Sequence, residues 1–129
     1  MNEDKLLSRT SLLTLLLVTI HLAYDTVYGK DGMSLLGLLA VMLVSAVWLY
    51  AALLLGERTS GRVLMLLFAL LGVLVSVLHA MAPGGVMGGH IAQSAGAFFV
   101  WGLIVIGAIS VFTIILSARL VLGRRSEEP

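Results

Sequence analysis

The sequence predicts an all-α, polytopic integral membrane protein, a bundle of four transmembrane helices with both its N and C termini in the cytoplasm. Three observations predict it: the composition, the number of apolar stretches and the distribution of basic residues. Of the 129 residues, 60% are hydrophobic and 12% are charged, whereas soluble domains carry about 25% charged residues. A spanning helix needs about 20 apolar residues. The chain therefore has room for four spans, and a single transmembrane domain over residues 1–129 is expected.

The first two spans are separated by a short turn. The first is predicted at about residues 6–28, and because no small-x-small site follows its apolar core, we expect it to remain uncleaved. Glycine and aspartate at residues 29–32 favour a turn. The second span is predicted at about residues 34–55, a segment without a charged residue that would measure about 33 Å as a helix.

Residues 63–118 form one stretch without a formal charge, which is too long for a single span. The proline and glycines of residues 83–89 interrupt it, because proline lacks an amide donor and glycine disfavours helix. The third span is therefore predicted at about residues 63–82 and the fourth at about residues 91–122. The remaining tail, residues 123–129, is predicted to be disordered.

The basic residues predict the orientation of the bundle. Seven of the eight lie on flanks that four spans place on one face of the membrane, and Lys30 alone lies on the other. Because cytoplasmic flanks carry an excess of lysine and arginine, both termini are predicted to be cytoplasmic. The short loops favour the inner membrane of a bacterium. The seven basic residues are Lys5, Arg9, Arg58, Arg62, Arg119, Arg124 and Arg125.

Several function classes are excluded or disfavoured by the residues present. A chain without cysteine forms no disulfides, thiolate metal sites or thiol catalysts. A net charge of +1 is too small for nucleic-acid binding. The glycines at residues 84–89 match no nucleotide-binding spacing, so no nucleotide partner is expected. Ser94 lies in a segment close to the serine-elbow pattern, but that elbow requires a β-sheet, and an enzyme is not favoured.

All three histidines and the one carboxylate within a predicted span fall in the predicted outer half of the membrane. They are His21, Asp25, His79 and His90. Such residues are costly in lipid and often functional, and neutral imidazole is the commonest metal ligand. The leading hypothesis is an outward-facing site for a zinc or copper ion or haem, with the histidines as ligands. Asp25 would be a further ligand, or would orient the His21 ring.

Helical phase places the polar residues of the first span on one face. At about 100° per residue they fall within an arc of about 100°. Because such a row is unfavourable against lipid, it is predicted to face the interior of the bundle. The row consists of Ser11, Thr14, His21, Asp25 and Tyr28.

Small residues predict where the helices approach one another closely. On the third span Gly72, Ser76 and Ala80 recur every four residues, a spacing that permits close helix contact. Gly102 and Gly107 offer similar contacts on the fourth span. Gln93 and Ser94 are expected to form interhelical hydrogen bonds, and Ser76 is a further polar residue within a span.

Two other functions remain open at this stage. The chain is alternatively a non-catalytic structural or regulatory membrane subunit in which His21 and Asp25 only lock the bundle. It is, thirdly, a transporter of protons or small solutes. Four helices enclose little room for a substrate, so a transporter would have to be an oligomer. The lipid bilayer is a partner in every case, and a homo-oligomer or a larger membrane complex is compatible with the small-residue faces.

Overall fold

The computed structural model describes residues 2–28, 34–81 and 96–125. The regular structure in these ranges is helical, in the order α1 (Glu3–Tyr28), α2 (Leu35–Leu54), α3 (Thr59–Met81) and α4 (Gly96–Arg125). All four helices are long and apolar enough to cross a membrane. The predicted all-α fold with four potential spans is confirmed.

The helices extend beyond several of the predicted spans. α1 begins at Glu3 and α3 begins at Thr59, so charged residues at the ends of the spans lie within helices. α4 continues to Arg125, and residues 123–125 are therefore helical, contrary to the predicted disordered tail. Arginine is a good helix former, and cations are favourable near a helix C-terminus. The predicted loop at residues 83–89 and the rest of the tail lie outside the described residues.

A four-residue turn joins α2 to α3. The amide of Arg58 donates to the carbonyl of Leu55 at 2.9 Å, which closes the turn. Gly61 faces the Leu55 backbone, and a Cβ at this position would overlap the Leu55 carbonyl. Because the connection is this short, α2 and α3 are antiparallel neighbours.

The bundle has three central helices and one peripheral helix. α3 packs most extensively on α4, and α1 packs on α4, while α2 lies against α1 and α3. Near the first turns of α1, a cluster joins Leu7, Ala52, Met65 and Leu116. Further along α1, the rings of Trp48 and Phe68 stack at 5.0 Å between centroids and pack with Leu15.

Buried residues on the central helices recur at spacings of three, four or seven. On α1 they include Leu7, Ser11, Thr14 and His21. On α3 they include Arg62, Met65, Ala69 and Gly72. On α4 they include Phe99, Leu103, Ile106, Ser110, Thr113 and Ser117. This repeat is typical of helices that pack in left-handed bundles.

The bundle has an apolar outer surface and buries several hydroxyl side chains in its interior. Ser11, Thr14 and Thr113 are fully buried, whereas Leu36 is 77% exposed and Trp101 is 64% exposed. An outer surface this apolar would be unfavourable in water, and it matches a hydrocarbon environment. The distribution agrees with a membrane-spanning bundle.

Candidate functional site

α1 and α3 meet through polar pairs at both ends. Arg62 contacts Asp4 at one end, which we call the arginine end, and His79 contacts His21 at the other, the histidine end. In both helices the two contacts are separated by 17 positions, or about 26 Å of helix. The helices are therefore parallel, and the polar pairs lie near opposite ends of a length close to that of a hydrocarbon core, about 30 Å.

His21 lies inside the bundle among residues of α3 and α4. Its side chain is 5% exposed, and its ring centroid lies 5.4 Å from that of His79 and 4.3 Å from that of Phe99. A Cβ placed on Gly102 would lie 3.9 Å from Nδ1 of His21. Such a distance is an ordinary van der Waals contact, so Gly102 of α4 packs directly beside the imidazole.

The His79 ring is oriented by its own helix. Its Nδ1 lies 2.9 Å from the carbonyl oxygen of Val75, one turn earlier. A carbonyl oxygen can only accept, so Nδ1 must carry the hydrogen in this contact. In the neutral ring the lone pair then lies on Nε2, the arrangement in which a backbone carbonyl fixes the tautomer of a metal-binding histidine.

The separation of the two rings suits a shared ion better than haem. Two imidazoles on one tetrahedral ion, with metal–nitrogen distances of about 2.0–2.1 Å, have their centroids roughly 5 Å apart. The observed rings are 5.4 Å apart and edge to face, with an interplanar angle of 86°. A haem held by both histidines would have to separate rings that are in direct contact. The same geometry is also that of an ordinary aromatic contact.

Two histidines do not by themselves complete a metal site. Within the described ranges, no group of three or more histidine, cysteine, aspartate or glutamate residues could hold a metal ion. The structure thus brings together two of the four predicted ligands. The side chain of Asp25 and the whole of His90 lie outside the described residues.

The other predicted polar residues divide into three groups. Ser11 and Thr14 are buried, and Ser11 accepts a hydrogen bond from Nε1 of Trp48 at 2.7 Å. Ser76 lies within hydrogen-bond distance of the Leu103 carbonyl of α4, at 3.1 Å. The Tyr28 side chain and Gln93 lie outside the described residues.

The predicted packing residues lie mainly between α3 and α4. Gly72 is buried beside Ser110, and its missing Cβ would overlap the Ser110 hydroxyl. Gly107 faces Ser76, with 3.5 Å between its ideal Cβ position and the serine side chain. Ala80 is half-buried one turn after Ser76.

Sequence reasoning missed two features of the polar interior. Phe99 contacts both histidines and Tyr24, with centroid distances of 4.3–6.2 Å, and no local pattern relates it to them. Arg62 was assigned to a cytoplasmic flank, but it is 1% exposed and paired with Asp4. Its position three residues before Met65, on the buried row of α3, is the signal that could have identified it.

Comparison with known proteins assigns neither a family nor a function to this chain. No protein family matches this chain, nor does any curated protein or any solved structure. The geometry of His21 and His79 is therefore the main observation that bears on function.

Proposed function

We propose that this chain is a small membrane protein that holds a transition-metal ion between His21 and His79. One observation carries the proposal: two histidines from different helices lie 5.4 Å apart at their ring centroids, in a bundle whose other described buried side chains, apart from Arg62, are apolar or carry hydroxyls. Ionisable residues within spanning segments are rare and are often functional. The Val75 carbonyl supports the assignment, because it orients His79 with Nε2 as the metal-binding nitrogen.

The position along the bundle suits an ion that enters from water. The histidine end is about 26 Å of helix from the arginine end, and this length supports a site close to one membrane surface rather than at its centre. In the orientation favoured by the basic residues, that surface is the outer one. An ion would then be captured from outside the cytoplasm.

A third ligand is required to hold the ion firmly. Asp25 follows His21 by four positions and His90 precedes α4 in the sequence, so both are candidates. Two imidazoles with a carboxylate or a third imidazole form a donor set suited to zinc or copper(II). Asp25 would otherwise orient His21 as its hydrogen-bond acceptor.

The proposal is tested by the metal content of the full chain. The protein should be purified in detergent with a histidine-free tag and without chelator, and its bound metals measured by mass spectrometry and by titration with Zn²⁺ and Cu²⁺. We expect about one ion per chain. His21→Phe and His79→Gln should each weaken binding at least about tenfold, because even indirect ligand partners contribute 10–100-fold.

Tyr24→Phe is the matched control. Tyr24 lies one turn from His21 and its ring is 6.0 Å from Phe99, so its substitution perturbs the same region without removing a proposed ligand. Wild-type protein without stoichiometric metal, or equal losses in all three variants, would contradict the proposal. The alternative would then be a structural membrane subunit in which polar pairs only hold the helices together.

A further inference from the structure

A cleft opens at the arginine end, far from the histidines. It has a volume of about 450 Å³ and lies between the first turns of α1, the end of α2 and the turn that precedes α3. Ligand sites typically enclose about 300–1,000 Å³, so the cleft is large enough for a small polar group. None of the residues proposed to bind metal lines it.

The polar side of the cleft is positively charged. Lys5, Arg9 and Arg58 line it together with the carboxylates Asp4 and Glu57. Asp4 is already held by Arg62 at 2.7 Å, so among the described lining residues Lys5 and Arg58 outnumber the remaining carboxylate, that of Glu57. Among the described residues, no ion pair joins Lys5 or Arg58 to an acidic group. The local charge favours an anion.

The opposite side of the cleft is apolar. It includes Leu12 of α1 and Leu53 and Leu54 of α2. Leu53 is 59% exposed and Leu54 is 68% exposed, on the outer surface of the bundle. Basic groups in the first turns of α1 and in the turn after α2, with exposed leucines beside them, match a molecule with an anionic head and a hydrocarbon tail.

We propose that this cleft binds the phosphodiester headgroup of an anionic phospholipid. Lys5 and Arg58 bind the phosphate oxygens, and an acyl chain lies along Leu53 and Leu54. Basic pockets beside transmembrane helices are known to select anionic headgroups. Free phosphate shares the headgroup chemistry, but it uses none of the apolar lining.

The test compares lipids that differ only in headgroup charge. Native mass spectrometry of the full chain in detergent should measure binding of phosphatidylglycerol, phosphatidylcholine of the same acyl chains, and inorganic phosphate. We expect phosphatidylglycerol to bind about tenfold more tightly than phosphatidylcholine. Lys5→Gln with Arg58→Gln should remove this preference, since each cation near an anionic headgroup contributes severalfold.

Arg119→Gln is the control for diffuse attraction to negative charge. Arg119 lies at the same end and is 70% exposed, but it does not line the cleft. Arg58→Gln alone should weaken phosphatidylglycerol binding, and Arg119→Gln should not. Lys5 and Arg58 are exposed, so circular dichroism should remain unchanged. Equal effects of the two arginine variants, no headgroup preference in the wild type, or equally tight binding of inorganic phosphate would overturn the proposal.

Discussion

Arg62 of α3 donates from Nε to Oδ1 of Asp4 in α1 at 2.8 Å, across 58 positions of sequence. Its Nη2 lies 2.7 Å from the same oxygen. The partners differ in their surroundings, because the Arg62 side chain is 1% exposed and that of Asp4 is 15% exposed. Within the described part of the chain, Nη1 of Arg62 has no hydrogen-bond partner. Among the described residues, the positive charge of the buried Arg62 guanidinium is thus balanced by a single carboxylate oxygen, Oδ1 of Asp4.

This asymmetry predicts unequal effects of breaking the pair from either side. Asp4→Asn leaves a buried cation without a counter-charge and should lower the free energy of unfolding by about 3 kcal/mol. Arg62→Met should cost less, because the remaining carboxylate is partly exposed and can be hydrated. Denaturant titration of the full chain in detergent, followed by circular dichroism, measures both.

The exposed pair at the same end supplies the control for this comparison. Arg119 and Glu3 approach to 3.8 Å with exposed fractions of 70% and 50%. Such pairs contribute about 0–1 kcal/mol, so Glu3→Gln should have little effect. If Arg62→Met lowered the free energy of unfolding as much as Asp4→Asn, the predicted difference between the two partners would be contradicted.

The pairing of Asp4 with Arg62 is a part of the fold that the sequence does not predict. The polar row predicted for α1 begins at Ser11, yet Leu7 and Asp4 continue the same face toward the N-terminus at spacings of four and three. Charged residues beside a span are usually solvated and orient the protein, so the composition of the flank gave no reason to place Asp4 and Arg62 inside. Their pairing becomes evident only when α1 and α3 are placed side by side.

At the histidine end, too, the sequence predicts that a side chain is interior but does not predict which residues it contacts. The cost of imidazole in lipid indicated that His21 would face the interior. Its contact with Phe99 joins residues that are 78 positions apart, a relation that helical periodicity within one segment cannot reveal. By contrast, the four helices are predicted from the length of each apolar stretch and from the proline and glycines between the last two, which are properties of the local sequence.

The buried hydrogen bond between α1 and α2 provides a second prediction. Nε1 of Trp48 donates to Oγ of Ser11 at 2.7 Å. Ser11→Ala leaves a buried indole N–H without its acceptor and should lower the free energy of unfolding by about 1–2 kcal/mol. Thr19→Ala is the matched control, because Thr19 is exposed and its hydroxyl donates to the Leu15 carbonyl of its own helix at 2.8 Å rather than to another described helix. Comparable losses in the two variants would show that the interhelical bond adds nothing.

Close packing at Gly72 provides a third prediction. A Cβ here would overlap the hydroxyl of Ser110, so Gly72→Ala should force Ser110 into another rotamer or α3 and α4 apart, and cost about 1–3 kcal/mol. Adding Ser110→Ala should restore part of this loss, because it removes the overlapping oxygen. Gly123→Ala meets no described atom within 4 Å and should be neutral or stabilising by up to about 1 kcal/mol. A Gly72→Ala protein as stable as the wild type would show that the interface tolerates separation.

The last prediction concerns the orientation of the bundle in the membrane. It is based on the basic flanking residues other than Arg62, because Arg62 is buried in a pair with Asp4. Six basic flanking residues besides Arg62 still favour the face that carries the termini, against Lys30 on the other. Because the native chain has no cysteine, single-cysteine variants report sidedness without background. In intact cells an impermeant maleimide should label Asp31→Cys, whereas Glu57→Cys, in the exposed turn before α3, should react only after permeabilisation. The reverse pattern would place the arginine end outside, and the proposed metal site would then face the cytoplasm.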